Sequence, residues 1–264
     1  MPSDLTGRAK RWGKQRLRRM GVEVTRLDSG GPRRSLPEVL AHARRVGVAP
    51  RTVIDVGVAA GTSELYEAFG GADLLLVEPM AEWRTQLAAL GASGRRVQVE
   101  TVAAGREPGE TTFFVHRVPA CSSMLGRRGT EADVERRTVP VVPLDDLVAR
   151  HDCAAPFVLK VDVEGAELEV LAGASRVLAD TQLVLLEVSF FELVDGGAQF
   201  ADVVCAMRDL GWAAYEIYNG HVRPLDGALA QVDMAFVPAE GALRRHHEYA
   251  TPEQADRLYR SWGY

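Results

Sequence analysis

Three acid-bearing stretches of the chain carry side chains whose types and spacing could do chemistry. The first, Asp55-Val-Gly57-Val-Ala59-Ala60-Gly61, sets two glycines behind an acid. Glycines let a backbone turn tightly and come close to a ligand, and a helix that follows offers unpaired N–H groups to a carboxylate or phosphate. The spacing D-x-G-x-x-x-G is not the G-x-G-x-x-G of dinucleotide sites, and Asp55 would repel a pyrophosphate while attracting an ammonium. The second is Glu78, followed by Pro79, where an acid commonly accepts both hydroxyls of an adenosine ribose. Together they favour a nucleoside that carries a cationic amino acid over one that carries phosphates.

The third stretch is Lys160-Val-Asp162-Val-Glu164-Gly165-Ala-Glu167. Residues two apart on a strand share a face, so Lys160, Asp162 and Glu164 are expected to point the same way from a strand otherwise buried on both sides. Burying three charges costs several kcal/mol unless they pair or border a polar cleft. Glu187, inside the apolar run LVLLEVSFF, raises the same question at the end of the next buried strand.

The elements that must position these residues follow from periodicity. Ser35-Leu-Pro-Glu38 has the spacing of a capping box, so a helix is expected from there to Val46, with Gly47 as its stop. Strands are expected at Thr52–Val56, Ala72–Val77, Arg96–Ala103, Phe157–Val163 and Gln182–Ser189. Helices are expected at Ser63–Phe69, Ala81–Leu90, Leu144–His151, Glu164–Leu171 and Phe200–Leu210. Thr111–His116 and Arg137–Val142 read as extra strands, and Trp212–Tyr218 with Val232–Val237 as a pair around the turn Asn219-Gly220. Alternating βα units make a mainly parallel sheet with helices on both faces, whose ligands bind at the carboxyl ends of the strands. Residues 117–135, which contain Ser122 and Ser123, read as a loop or lid.

Composition bounds the class. The chain has 264 residues, 47% hydrophobic and 25% charged, with a net charge of −5, which fits a soluble globular protein, while its α/β class follows from the alternating units above. No apolar run approaches the roughly 18 residues of a membrane span, and no secretory signal is read at the N-terminus, so a cytoplasmic location is expected. Cys121, Cys153 and Cys205 show no metal-ligand spacing, and no metal site is expected unless Asp162, Glu164 and Glu187 converge on Mg²⁺. Residues 1–50 hold 12 Arg/Lys against 4 Asp/Glu. We therefore expect a basic arm over 1–34, either solvated or in peripheral contact with a membrane rather than with nucleic acid, a catalytic domain over 35–238, and a C-terminal helical extension over 239–264.

Taken in order, Asp55-Val-Gly57-x-x-x-Gly61, Glu78-Pro79, Val102-Ala103, Pro143-Leu-Asp145-Asp146-Leu147 and LKVDVEGAELEVLAGA at 159–174 resemble the FkbM family of S-adenosylmethionine-dependent methyltransferases. The resemblance covers roughly residues 50–238. It implies a Rossmann-like methyltransferase fold, seven strands with the last antiparallel, and methyl transfer to a hydroxyl oxygen of a sugar, glycolipid or polyketide-type natural product. Carried over by position, Asp55, Gly57, Ala59 and Gly61 surround the methionine half of S-adenosylmethionine, Glu78 and Pro79 lie at the ribose, and Ala103 lies beside the adenine. Asp162 is expected near the transferring methyl. Many members carry Asn at the position of Ala59 and Asp at that of Arg106.

A sugar or alkyl hydroxyl is a weak acid, so a base within hydrogen-bond reach is expected. Asp162 is the first candidate, Glu187 the second and Glu164 the third, the last with Lys160 as its alternative partner. Two other classes are open at this point: a nicotinamide-dependent oxidoreductase, against which the D-x-G-x-x-x-G spacing counts, and a non-catalytic cofactor-binding scaffold docked through the basic arm.

Overall fold

The computed structural model describes residues 31–118, 121–128 and 134–262. Residues 1–30 of the expected basic arm, and 119–120 and 129–133 of the expected lid, lie outside the described residues. In chain order the elements are α1 (Leu36–Arg45), β1 (Thr52–Val56), α2 (Ser63–Ala68), β2 (Asp73–Val77), α3 (Arg84–Ala88), β3 (Val97–Glu100), β4 (Ala103–Ala104), β5 (Gly109–His116) and β6 (Val134–Val142). There follow α4 (Leu144–Arg150), β7 (Phe157–Val161), α5 (Glu167–Ala172), α6 (Ser175–Ala179), β8 (Thr181–Ser189), α7 (Phe200–Asp209), β9 (Trp212–Val222), β10 (Leu229–Pro238) and α8 (Pro252–Trp262).

Seven strands form one sheet in the order β3-β2-β1-β7-β8-β10-β9. β10 runs antiparallel to both of its neighbours, and the other pairings are parallel. This is the Rossmann-like methyltransferase sheet that the resemblance implies. The central strands read TVIDV and FVLKV, near-continuous β-branched and leucine runs that suit strands covered on both faces. Val53, Leu74, Leu76 and Leu185 pack on one face against α1, α2 and α3. Ile54, Leu75, Leu159 and Phe236 pack on the other against α4 to α7. The strand order reverses between β1 and β7, which places the crevice of the fold at their carboxyl ends.

Four expectations need correction. The strand expected over Arg96–Ala103 is split: β3 ends at Glu100, and Ala103–Ala104 pair with Val141–Val142 in a second, three-stranded sheet of order β4-β6-β5. The extra strands expected at Thr111–His116 and Arg137–Val142 are its other members. Asn219-Gly220 is not a hairpin turn. β9 continues through it, Asn219 has φ +49°, and two residues of β9 oppose one of β10, a bulge that uses the left-handed tolerance of Asn. The turn lies further on, where Asp226 accepts hydrogen bonds from the Arg223 side chain and the Ala228 N–H.

The third correction is to β7, which ends at Val161 rather than Val163; the following helix starts only at Glu167, because Glu164 and Gly165 have φ of +56° and +105°. Lys160, Asp162 and Glu164 therefore do not share one strand face. The fourth concerns α1: Glu38 accepts a hydrogen bond from the Arg34 N–H at 2.7 Å, and the Ser35 side chain makes no cap. Among the described residues no helix is long and apolar enough to cross a membrane.

Candidate active site

The turn after β1 meets the end of β7 with no spare space. A Cβ placed on Gly57 would stand 1.8 Å from the carbonyl oxygen of Asp162, and φ at Gly57 is +76°. Only glycine fits that combination. The close approach brings both strand ends to one cleft of about 480 Å³. Gly57, Ala59, Glu78, Pro79 and Ala103 line it, as do Val77, Val102, Phe113, Ser122, Met124 and Asp162. Asp55 and Gly61, expected at the cofactor, do not line it.

Glu78 is 5% exposed, and both of its oxygens receive backbone N–H groups, from Ala59 at 2.8 Å and Met80 at 2.9 Å. Burial pushes its pKa up, and these two hydrogen bonds oppose the rise. Each carboxylate oxygen keeps a further lone pair for a diol. Asp55 is fully buried under the turn; its Oδ2 accepts the Tyr66 hydroxyl at 2.6 Å, while its Oδ1 has no hydrogen-bond partner among the described residues and lies 3.8 Å from Lys160 Nζ. Apolar walls beside an acid whose remaining lone pairs can accept a diol fit a nucleoside. S-adenosylmethionine matches this set. The contribution of Tyr66 has no signal in the sequence beyond its place one turn into the helix after the glycines.

Lys160 sits opposite Asp55 in the β1–β7 ladder and donates to Asp162 Oδ2 at 2.9 Å. Burial alone would lower its pKa, but Asp162 and Asp55 outweigh burial and push it up, so the ammonium stays charged. Asp162 Oδ1 has no partner among the described residues, and a third of the side chain, 34%, is exposed. Glu164 pairs with Arg127 at 3.2 Å rather than with Lys160. Glu187 receives Gln231 Nε2 at 2.7 Å. Burial and then the charges of Asp162, Glu164, Glu167 and Asp233 push the Glu187 carboxyl up to about 10.

Glu167, quoted in the third motif but not singled out, is 3% exposed and accepts the N–H groups of Gly165 (3.0 Å) and Val163 (3.3 Å). It ties down the left-handed loop that presents Asp162. Burial raises it to about 7 against those hydrogen bonds. Ser123, 3% exposed, fixes the same loop from above by donating toward the carbonyls of Val163 and Glu164 at 3.1 and 3.0 Å. Segment 121–128 is thereby strapped across the cleft, with Ser122 and Met124 in its wall. Among the described residues no group of three His, Cys, Asp or Glu side chains could hold a metal ion.

A family model, the methyltransferase FkbM domain, matches residues 55–212. No curated protein matches the chain. Among solved structures, the magnesium protoporphyrin IX methyltransferase of Synechocystis PCC 6803, with bound SAM, is similar at 12% identity over 90% of this chain and 98% of that one, with a TM-score of 0.40. The 1,6-didemethyltoxoflavin-N1-methyltransferase of Burkholderia thailandensis is similar at 12% identity over 77% and 76%, TM-score 0.41. The ribosomal protein L11 methylase of Lactobacillus delbrueckii subsp. bulgaricus is similar at 14% identity over 82% and 86%, TM-score 0.40.

Proposed function

The chain belongs to the FkbM family of S-adenosylmethionine-dependent methyltransferases, and from that premise we propose that it methylates a hydroxyl oxygen of a sugar, glycolipid or polyketide-type acceptor. The observation that carries this reading is the state of Asp162. Two acids line the donor cleft. Glu78 has both oxygens engaged by backbone N–H groups, whereas Asp162 has one oxygen on Lys160 and the other open. An open, oriented carboxylate oxygen at the donor cleft is what a weakly acidic hydroxyl needs and an already nucleophilic amine does not.

S-adenosylmethionine, when bound, supplies an activated methyl group on its sulfonium. In our reading Gly57, Ala59, Glu78, Pro79 and Ala103 hold it, with Asp55 and Gly61 shaping the floor from beneath. Asp162 Oδ1 takes the hydroxyl proton, and Lys160 keeps the carboxylate aimed. Glu187, which does not line the cleft and whose carboxyl is pushed up by burial and by the neighbouring acids, is not the base in our reading. Glu164, committed to Arg127, shapes the loop. Strapping by segment 121–128 excludes water around the aligned oxygen.

The test is methyl transfer from labelled S-adenosylmethionine to a panel of hydroxylated sugars and natural products, with Asp162→Asn alongside. Oxygen methylation by the wild type, reduced roughly 10²- to 10⁴-fold in the variant while donor binding is kept, supports the reading. Methylation at nitrogen or carbon overturns it. Donor binding without transfer to any acceptor favours the scaffold class.

A further inference from the structure

A second hollow, of about 540 Å³, lies between the short sheet and the strap and is lined by Phe114, Gly126, Arg127, Val134 and Arg136. Two of these five side chains are guanidinium groups and none is an acid. Arg136 stands directly opposite Phe114 in the β5–β6 ladder, with its Cζ 5.6 Å from the ring centroid. The ring holds the cation in place without neutralising it.

Several other arginines are paired with carboxylates. Arg106 pairs with Glu169 at 2.9 Å, Arg128 with Glu192 at 2.8 Å and Arg137 with Glu135 at 2.8 Å. Arg136 has no carboxylate partner among the described residues. Arg127 spends one N–H on Glu164, and its side chain is 27% exposed, which leaves most of its donor fork unspent. Arg136, without a carboxylate partner among the described residues, stands beside the incompletely used fork of Arg127, so guanidinium N–H donors from two side chains line the hollow. Planar forks of this kind match the paired oxygens of a carboxylate or phosphate.

The hollow borders the loop that carries Asp162: Arg127 pairs with Glu164 at 3.2 Å, and Glu164 is two residues from Asp162 in the chain. A bridge between Arg127 and Val194 fixes the Arg127 backbone against the segment that follows β8.

We propose that this hollow is a subsite for an oxyanion, a carboxylate or phosphate, carried by the hydroxyl acceptor. The inference rests on the acceptor reading given above and narrows it to acidic polyhydroxy compounds.

The experiment is phenylglyoxal labelling of the full chain at low ionic strength, mapped by peptide mass spectrometry, with inorganic phosphate, acetate or the neutral polyol glycerol as probe. Phosphate or acetate is expected to slow labelling of Arg136 several-fold. Glycerol leaves it unchanged, and Arg208, paired with Asp209 on α7, is unaffected throughout. The anion that protects identifies the group the acceptor carries. Equal labelling of Arg136 under all three probes overturns the proposal, as does anion protection of Arg127 that survives in Arg136→Gln. S-adenosylmethionine binding is titrated on the same preparations: binding without protection sinks the subsite alone, while absence of binding by folded protein sinks the methyltransferase reading beneath it.

Discussion

Replacing Glu187 by Gln should make the protein more resistant to unfolding, by an amount that grows with pH. In the folded chain Glu187 is hemmed in by burial and by Asp162, Glu164, Glu167 and Asp233, which raise its carboxyl from 4.5 to about 10. In the unfolded chain it titrates near its ordinary value. From about pH 5.5 to about pH 9 the unfolded state has therefore released a proton that the folded state keeps, and the wild type loses stability by up to about 1.4 kcal/mol per pH unit through this group. The amide cannot titrate, so its variant lacks that loss. Because Glu187 and its replacement are both neutral in the folded state, the neighbouring Glu167, at about 7, titrates alike in the two proteins and cancels from the difference. Between about pH 6 and about pH 8 the gap should open by as much as about 3 kcal/mol, less whatever water reaches the site. Urea unfolding of both proteins at those two pH values reads it directly. A gap that stays constant or narrows would mean that Glu187 is ionised when folded, and the argument that sets it aside as the base would fall with it.

Further outcomes follow from single contacts. Gly57→Ala drives a methyl into the Asp162 carbonyl at a left-handed position, and should cost more than about 3 kcal/mol in thermal unfolding and abolish donor binding. Glu78→Gln presents an amide N–H₂ to the N–H groups of Ala59 or Met80, so calorimetric titration should show S-adenosylmethionine binding weaker by about 1–3 kcal/mol. Tyr66→Phe strips Asp55 of the hydrogen bond on Oδ2 and leaves a buried carboxylate without a donor; a loss of about 1–3 kcal/mol in unfolding free energy is expected. An unchanged melting temperature there would mean that Lys160 alone satisfies Asp55.

The sheet was legible because its central strands are long apolar runs and its turns are punctuated by glycine. The acids at the strand ends were legible for the opposite reason, since Asp55, Asp162 and Glu187 interrupt those runs where a charge is expensive. The short sheet was not legible as a unit: Ala103–Ala104 is too brief to show a period, and its partner strand β6 lies some forty residues further on. Asn219-Gly220 misleads because a bulge and a hairpin turn demand the same left-handed backbone from the same residue types. The departure of Glu164 from the strand face is set by Gly165 and by Glu167, whose carboxylate substitutes for the missing backbone partners of the loop. Arg127 as the partner of Glu164 was out of reach, because the pairing depends on how the strap folds back.

The contact between Gly57 and Asp162 also bears on how such a protein can be recombined. The two residues are over a hundred positions apart in the chain, yet they share a boundary with no tolerance for an added atom, inside an interior packed as tightly as a crystal. A chimera with its crossover between β6 and β7 would join one parent's glycine turn to another parent's β7 terminus. Such a splice inherits neither parent's fit. Crossovers placed before β1 or after β8 keep both sides of that contact from a single ancestor, so those are the junctions at which shuffled libraries of relatives should retain folded members.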